Sequence, residues 1–179
     1  PEQLLERAEQ TNDLRILHIA KAYQKYQHRL KENNALDFDD IICVTVRLLQ
    51  EHEDVRQYYQ SKFRYVLVDE YQDTNHVQYL LTSLLAGGRK NLCVVGDDDQ
   101  SIYRFRGARP EIMLGFQEDY PNARQILLDT NYRSRKQIVE SALKVIRHND
   151  NRFEKEIVSA RPEGNPVITA VFNDQKEEH

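Results

Sequence analysis

The chain has 179 residues, 40% of them hydrophobic and 30% charged, with a formal net charge of −4. That composition excludes a disordered polypeptide, and no apolar run approaches the ~18 residues of a membrane-spanning helix. It allows one domain, or one and a fraction, with a sizeable core.

The first residues, Pro1 to Arg7, have no signal-peptide character, which favours a cytoplasmic protein. Apolar residues then recur at helical spacing from Leu14 to Leu30. Asn33-Asn34 interrupts the pattern, and Asp37 is placed to cap a second helix carrying Phe38, Ile41, Ile42, Leu48 and Leu49. A shorter helix is expected over Val55–Phe63. It leads into Tyr65-Val66-Leu67-Val68, an apolar run that reads as a strand buried on both faces. Val77, Leu80, Leu81 and Leu84 mark a further helix, stopped at Gly87-Gly88. Leu92 to Val95 predicts a second buried strand, and Pro110 opens a short helix. Gln125 to Leu128 predicts a third strand, and Ile138 to Ile146 an amphipathic helix. The polar stretch from Arg147 to Gly164 reads as a surface excursion, and Pro166 to Phe172 as a fourth strand. Cys43 and Cys93 fall in a helical and a strand pattern, so both are expected as buried thiols in a reducing compartment. Strands alternating with helices predict an α/β fold, a parallel sheet with flanking helices.

Three predicted strands end in polar groups: Asp69-Glu70, then Asp97-Asp98-Asp99-Gln100, then Asp129 to Arg133. In one parallel sheet such exits share an edge, where ligands bind. Adjacent carboxylates there suit an Mg²⁺-dependent nucleotide hydrolase, one acid holding the metal and its neighbour activating water. The G-x-x-x-x-G-K-[ST] phosphate loop of such enzymes occurs nowhere in the 179 residues. After Gln100, Tyr103 and Phe105 alternate with Arg104 and Arg106, a pattern suited to stacking on bases and meeting phosphates of single-stranded nucleic acid. Charge is distributed accordingly. Residues 101–161 hold 12 Lys/Arg against 8 Asp/Glu, and the remainder 13 against 21.

Val66 to Asp73, Val95 to Ala108 and Asn131-Tyr132-Arg133-Ser134 resemble, in order and spacing, consecutive motifs of the superfamily-one DNA helicases of the UvrD/PcrA/Rep type. Asn34 to Asp40 resembles a segment just upstream. The resemblance implies an incomplete RecA-like (P-loop NTPase) motor. Residues 1–35 would be the helical end of an inserted subdomain, 36–130 the C-terminal part of the first RecA-like domain, and 131–179 the start of the second. It implies ATP and Mg²⁺ as cofactors, with single-stranded DNA and duplex junctions as partners in replication or repair. Asp69 would hold Mg²⁺, and Glu70 would activate the attacking water. Gln100 would contact the γ-phosphate, Tyr132 would stack near adenine, and Arg133 would be the arginine finger. Tyr103, Phe105, Arg106 and, more weakly, Phe38 would contact DNA. Phe105 stands where many relatives carry Trp, and Asp98 where a small or neutral residue is common. The chain is expected to be a central fragment that does not hydrolyse ATP alone. Two alternatives remain open from sequence: the motor part of an AddA/RecB-type helicase–nuclease, and a non-catalytic DNA- or protein-binding module. A metal-dependent nuclease built on Asp97-Asp98-Asp99 is an outsider.

Overall fold

A computed structural model describes residues 2–171. Among the described residues eight α-helices run in chain order: α1 (Glu2–Thr11), α2 (Leu14–Glu32), α3 (Phe38–Glu51), α4 (Glu53–Lys62), α5 (His76–Ala86), α6 (Pro110–Leu114), α7 (Phe116–Asp119) and α8 (Lys136–Ile146). Four strands accompany them: β1 (Val66–Val68), β2 (Leu92–Val94), β3 (Thr130–Arg135) and β4 (Val158–Arg161). Residues 1–67 with 76–93 form one compact unit, and 68–75 with 94–179 form another.

In the first unit, α1 packs along α2, and α3 packs on α4 and α5. Asp13 caps α2 by accepting from the Arg15 and Ile16 N–H groups. Asp37 caps α3 in a reciprocal box with Asp40, as its position in the sequence predicts. Gln60 of α4 donates to the Leu84 carbonyl near the end of α5, which then tightens into a 3-10 turn beginning at Gly87, where φ is +54°. A Cβ there would fall 2.5 Å from the end of the Gln60 side chain, which would have to shift, so it is the positive φ that favours glycine. Ala8, Ala20, Val46, Leu49 and Ala86 are the buried apolar residues of this unit.

β1 pairs with β2. The ladder advances in one direction along both: the Val66 N–H donates to the Asn91 carbonyl, and the Val95 N–H to the Val68 carbonyl. That is the parallel arrangement. The two strands are not buried on both faces, however. Leu67 is 75% exposed and Cys93 is exposed, while the alternate residues Val66, Val68, Leu92 and Val94 are half-buried. Cys43 is exposed as well, on the outer side of α3. The expectation of buried thiols is therefore corrected.

The second unit holds a separate parallel pair, β3 with β4, in register Thr130↔Val158 and Asn131↔Ser159. Helix α8 packs on this pair, burying Val139. Two strand predictions are overturned here. Residues 125–128 form no strand, and pairing starts only at Asp129, whose carbonyl accepts from the Val158 N–H. Residues 166–171 are irregular, and Phe172 lies outside the described residues. Conversely, β4 sits inside the stretch expected as a surface excursion. Val-Ser-Ala-Arg alternates over only four residues, and its apolar Val158 and Ala160 are exposed, so the pattern does not reveal it; its place is set by hydrogen bonds such as Ser159 Oγ–H to the Ser134 carbonyl, 2.7 Å. The expected single sheet with three aligned exits is thus two separate pairs, and residues 129–133 enter a strand instead of leaving one.

Candidate functional site

Asp69 and Glu70 follow β1 directly. The chain turns so sharply there that Glu70 takes a left-handed conformation, φ +50° and ψ +42°. A non-glycine residue in that region carries strain that surrounding contacts must hold, a feature concentrated at functional sites. One contact is the Asp69 Oδ1, which accepts the Glu70 N–H at 2.9 Å. The other is Gln72, whose Nε2 donates to Glu70 Oε2 at 2.8 Å. Gln72 lies in the 3-10 turn Tyr71–Asp73, fully enclosed beside Tyr71. Tyr71 packs edge-on against Phe116 of α7. Both carboxylates remain exposed to solvent.

The residues after β2 come to the same place. The Tyr71 N–H donates to the Val95 carbonyl, and the Asp97 N–H donates to Gln72 Oε1 at 3.0 Å. Gly96 lies against this amide: a Cβ would stand 2.7 Å from Gln72 Oε1 and 3.1 Å from the Tyr71 nitrogen. Asp97 caps the 3-10 turn Asp98–Gln100, and its Oδ2 accepts from Gln100 Nε2 at 2.8 Å. Ser101 Oγ–H closes the assembly on the Gln72 carbonyl at 3.1 Å. Asp69, Glu70 and Gln100 are thereby joined by one hydrogen-bonded frame.

The three acids are held by cations that sequence reasoning did not single out. Lys155 Nζ donates to Asp97 Oδ1 and Asp98 Oδ1, each at 2.5 Å, and lies 3.2 Å from Asp99 Oδ2. Arg152 grips Asp99 with two parallel bonds, Nε to Oδ1 at 2.7 Å and Nη2 to Oδ2 at 2.6 Å. Asp98, the acid in the slot where a neutral residue is common, is 3% exposed and also accepts the Phe153 N–H. Burial pushes the Asp97 carboxyl up, but hydrogen bonds from Lys155 and Gln100 outweigh it and hold the group below its usual value. Asp99 follows the same pattern: burial raises it, and Arg152 and Lys155 bring it down further. Burial pulls Lys155 down, yet its carboxylate partners raise it overall. An ammonium at the centre of the cluster leaves no metal cage, which removes the ground for a nuclease on these acids. The only sequence signal for this clamp is the excess of basic residues beyond position 100.

Among the described residues no group of three or more His, Cys, Asp and Glu side chains forms a metal cage. The donor set at Asp69 nevertheless fits Mg²⁺, which is usually held by one or two carboxylates and completes its shell with water and phosphate oxygens.

Tyr103 and Phe105 are not tucked into a core. Phe105 is 79% exposed, the rings stand 5.9 Å apart, and the Arg106 guanidinium lies 5.0 Å from the Tyr103 centroid and 5.6 Å from that of Phe105. Gly107, φ +87°, ends the 3-10 turn Arg104–Arg106 that presents them. Phe38, at the first position of α3, is 89% exposed. Tyr132 and Arg133 lie exposed on β3, where Asn131 Oδ1 accepts the Arg133 N–H and Arg161 Nε donates to the Tyr132 carbonyl. Among the described residues no hydrogen bond joins them to Asp69, Glu70 or Gln100.

The site thus consists of a parallel strand pair leading into adjacent carboxylates, an amide-bearing turn alongside, and an exposed aromatic–arginine loop in the chain beyond. The chain belongs to the UvrD/REP helicase family. Residues 1–121 match the UvrD/REP helicase N-terminal domain, and residues 126–179 match the UvrD-like helicase C-terminal domain. Relatives include two proteins named ATP-dependent DNA helicase PcrA. The one from Staphylococcus epidermidis is 49% identical over 158 residues, covering 88% of this chain and 22% of the relative. The one from Staphylococcus aureus strain Mu50 is 50% identical over 149 residues, covering 83% of this chain and 20% of the relative. The chain thus spans about a fifth of the length of the relatives it matches. The RecA-like motor fold of the family accounts for its parallel α/β elements. No helix among the described residues is long and apolar enough to cross a membrane.

Proposed function

We propose that this chain is the central segment of a cytoplasmic ATP-dependent DNA helicase that couples ATP hydrolysis to movement on single-stranded DNA and to duplex unwinding. The observation that carries the reading is the parallel β1–β2 pair, whose neighbouring exits hold Asp69-Glu70 beside the turn ending in Gln100. In this reading residues 1–35 belong to an inserted subdomain, 36–130 to the first RecA-like domain and 131–179 to the second. Asp69 would hold Mg²⁺, which when bound would supply charge neutralisation to the nucleotide's phosphates. Glu70 orients the attacking water and takes its proton. Gln100 meets the γ-phosphate and links it to the DNA-contacting loop. Tyr132 stacks on the base of ATP, and Arg133 reaches the site from the second domain when nucleotide closes the cleft. Tyr103, Phe105 and Arg106 contact the single strand, with Phe38 at its margin. The relatives' name favours this over the helicase–nuclease and the non-catalytic alternatives.

The test is Glu70→Gln in the full-length protein. Turnover should fall at least 100-fold, the scale of losing a positioned general base, while affinity for ATP stays within a few-fold. Unchanged turnover would remove Glu70 from this role.

A further inference from the structure

Gln72 is a polar side chain only 2% exposed, and a buried amide must place both its N–H₂ and its C=O. Each end meets a different segment. Nε2 donates to the Glu70 carboxylate, Oε1 accepts the Asp97 N–H, and the Gln72 main-chain carbonyl accepts the Ser101 hydroxyl. Asp97 in turn accepts from the Gln100 side chain. Gln72 is therefore bonded both to the carboxylate after β1 and to the segment after β2 that carries Gln100.

We propose that Gln72 is a positioning residue for hydrolysis: it fixes the direction of the Glu70 carboxylate and ties that direction to the position of Gln100. The inference rests on the reading of Glu70 as the water-activating group. Glu70 is exposed, and a glutamate on a solvent-facing turn samples several rotamers, few of which face an attacking water. The Gln72 amide cannot swing with it, because Gly96 packs on its oxygen and Asp97 is bonded to that atom. A buried donor with no freedom of its own thus selects one direction for an exposed acceptor. Because the same amide holds Asp97, and Asp97 holds Gln100, a shift of the turn beyond β2 is felt at Glu70 without contact between the two functional side chains.

The experiment compares Gln72→Met, Gln72→Glu and Glu70→Gln in the full-length protein. Steady-state ATPase is measured with and without single-stranded oligonucleotide, together with affinity for a non-hydrolysable ATP analogue and the thermal midpoint. Methionine keeps the volume and loses both hydrogen bonds. Glutamate keeps the acceptor for Asp97 N–H, loses the donor, and sets a second carboxylate against Glu70. Both variants should lose kcat on the order of 10–100-fold with analogue affinity unchanged within twofold, the pattern of misplacement without lost binding. Stimulation by DNA should shrink in Gln72→Met. Full kcat in Gln72→Met would make Gln72 a space-filling residue and overturn the proposal. If Gln72→Met does not fold, Gln72→Glu decides alone: a folded protein with wild-type kcat overturns it. Glu70→Gln separates the two levels. Retained turnover there sinks the assignment of the site itself, whereas lost turnover beside unaffected Gln72 variants sinks only the positioning role.

Discussion

Phe105 and Gln100 illustrate how differently single residues are exposed to sequence reasoning. Phe105 lies in a loop, where an aromatic ring between two arginines is either core or platform, and its chemistry alone does not decide. Its 79% exposure, with the Arg106 guanidinium against it, favours the platform. Base–aromatic stacking contributes about 1–3 kcal/mol per base, so Phe105→Ala in the full-length protein should weaken single-strand binding roughly 5–150-fold. Fluorescence titration of labelled oligonucleotides checks this. A change below twofold would remove Phe105 from the interface. Phe105→Trp should keep or strengthen binding, since it enlarges the stacking face. Asp69, Glu70 and Gln100 were legible because acids at the end of an apolar run and an amide after a second one stand out. Gln72 was not, because a glutamine between a tyrosine and an aspartate gives no hint that its side chain is enclosed. Only the burial of both its ends reveals a bridge.

At the scale of elements, most helices were read well, α1 and α7 were not read at all, and strands were read poorly, for a physical reason. Helix hydrogen bonds close within four residues, so spacing and caps such as Asp37 are local facts. A strand needs a partner, and apolar Gln125–Leu128 has none while polar β4 has β3. The clamp of Lys155 and Arg152 on Asp97, Asp98 and Asp99 is a further contact between distant segments, separated by more than 50 residues. Removing one partner of a buried pair leaves a desolvated charge, so Lys155→Met should destabilise the fold by about 3 kcal/mol. The pH dependence has a definite sign. Asp97 and Asp99 have folded values below their ordinary 3.8, so their contribution is present above that value and is lost as pH falls through the lowered one. Lys155 lies above its ordinary 10.5, so its share is present below 10.5 and is lost as pH rises through the raised value. Urea unfolding of wild type and Lys155→Met should therefore differ most on the plateau between these limits and converge in acid. A difference that stays unchanged along the whole acid limb, down to acid unfolding, would contradict the ion-pair account.

For the molecule as a whole, the chain spans about a fifth of the length of its relatives, and Asp69, Glu70, Gln100, Tyr132 and Arg133 all fall in the second compact unit. The acids of the proposed site are present, but the backbone N–H groups and lysine of a phosphate loop are not in this sequence. The purified 179-residue chain should accordingly show no ATPase above background in a coupled assay with Mg²⁺ and single-stranded DNA, and robust turnover would overturn the proposed division of labour. Sequence by itself determined the family motifs, the helices, the parallel α/β class and the residue types at the site, because all of these are written in short-range spacing. Tertiary structure alone decided that the strands form two separate pairs with one face uncovered, that Lys155 and Arg152 neutralise the acidic turn, and that Gln72 joins Glu70 to the segment of Gln100. Those features depend on which distant groups share a buried volume, and neither periodicity nor composition encodes that.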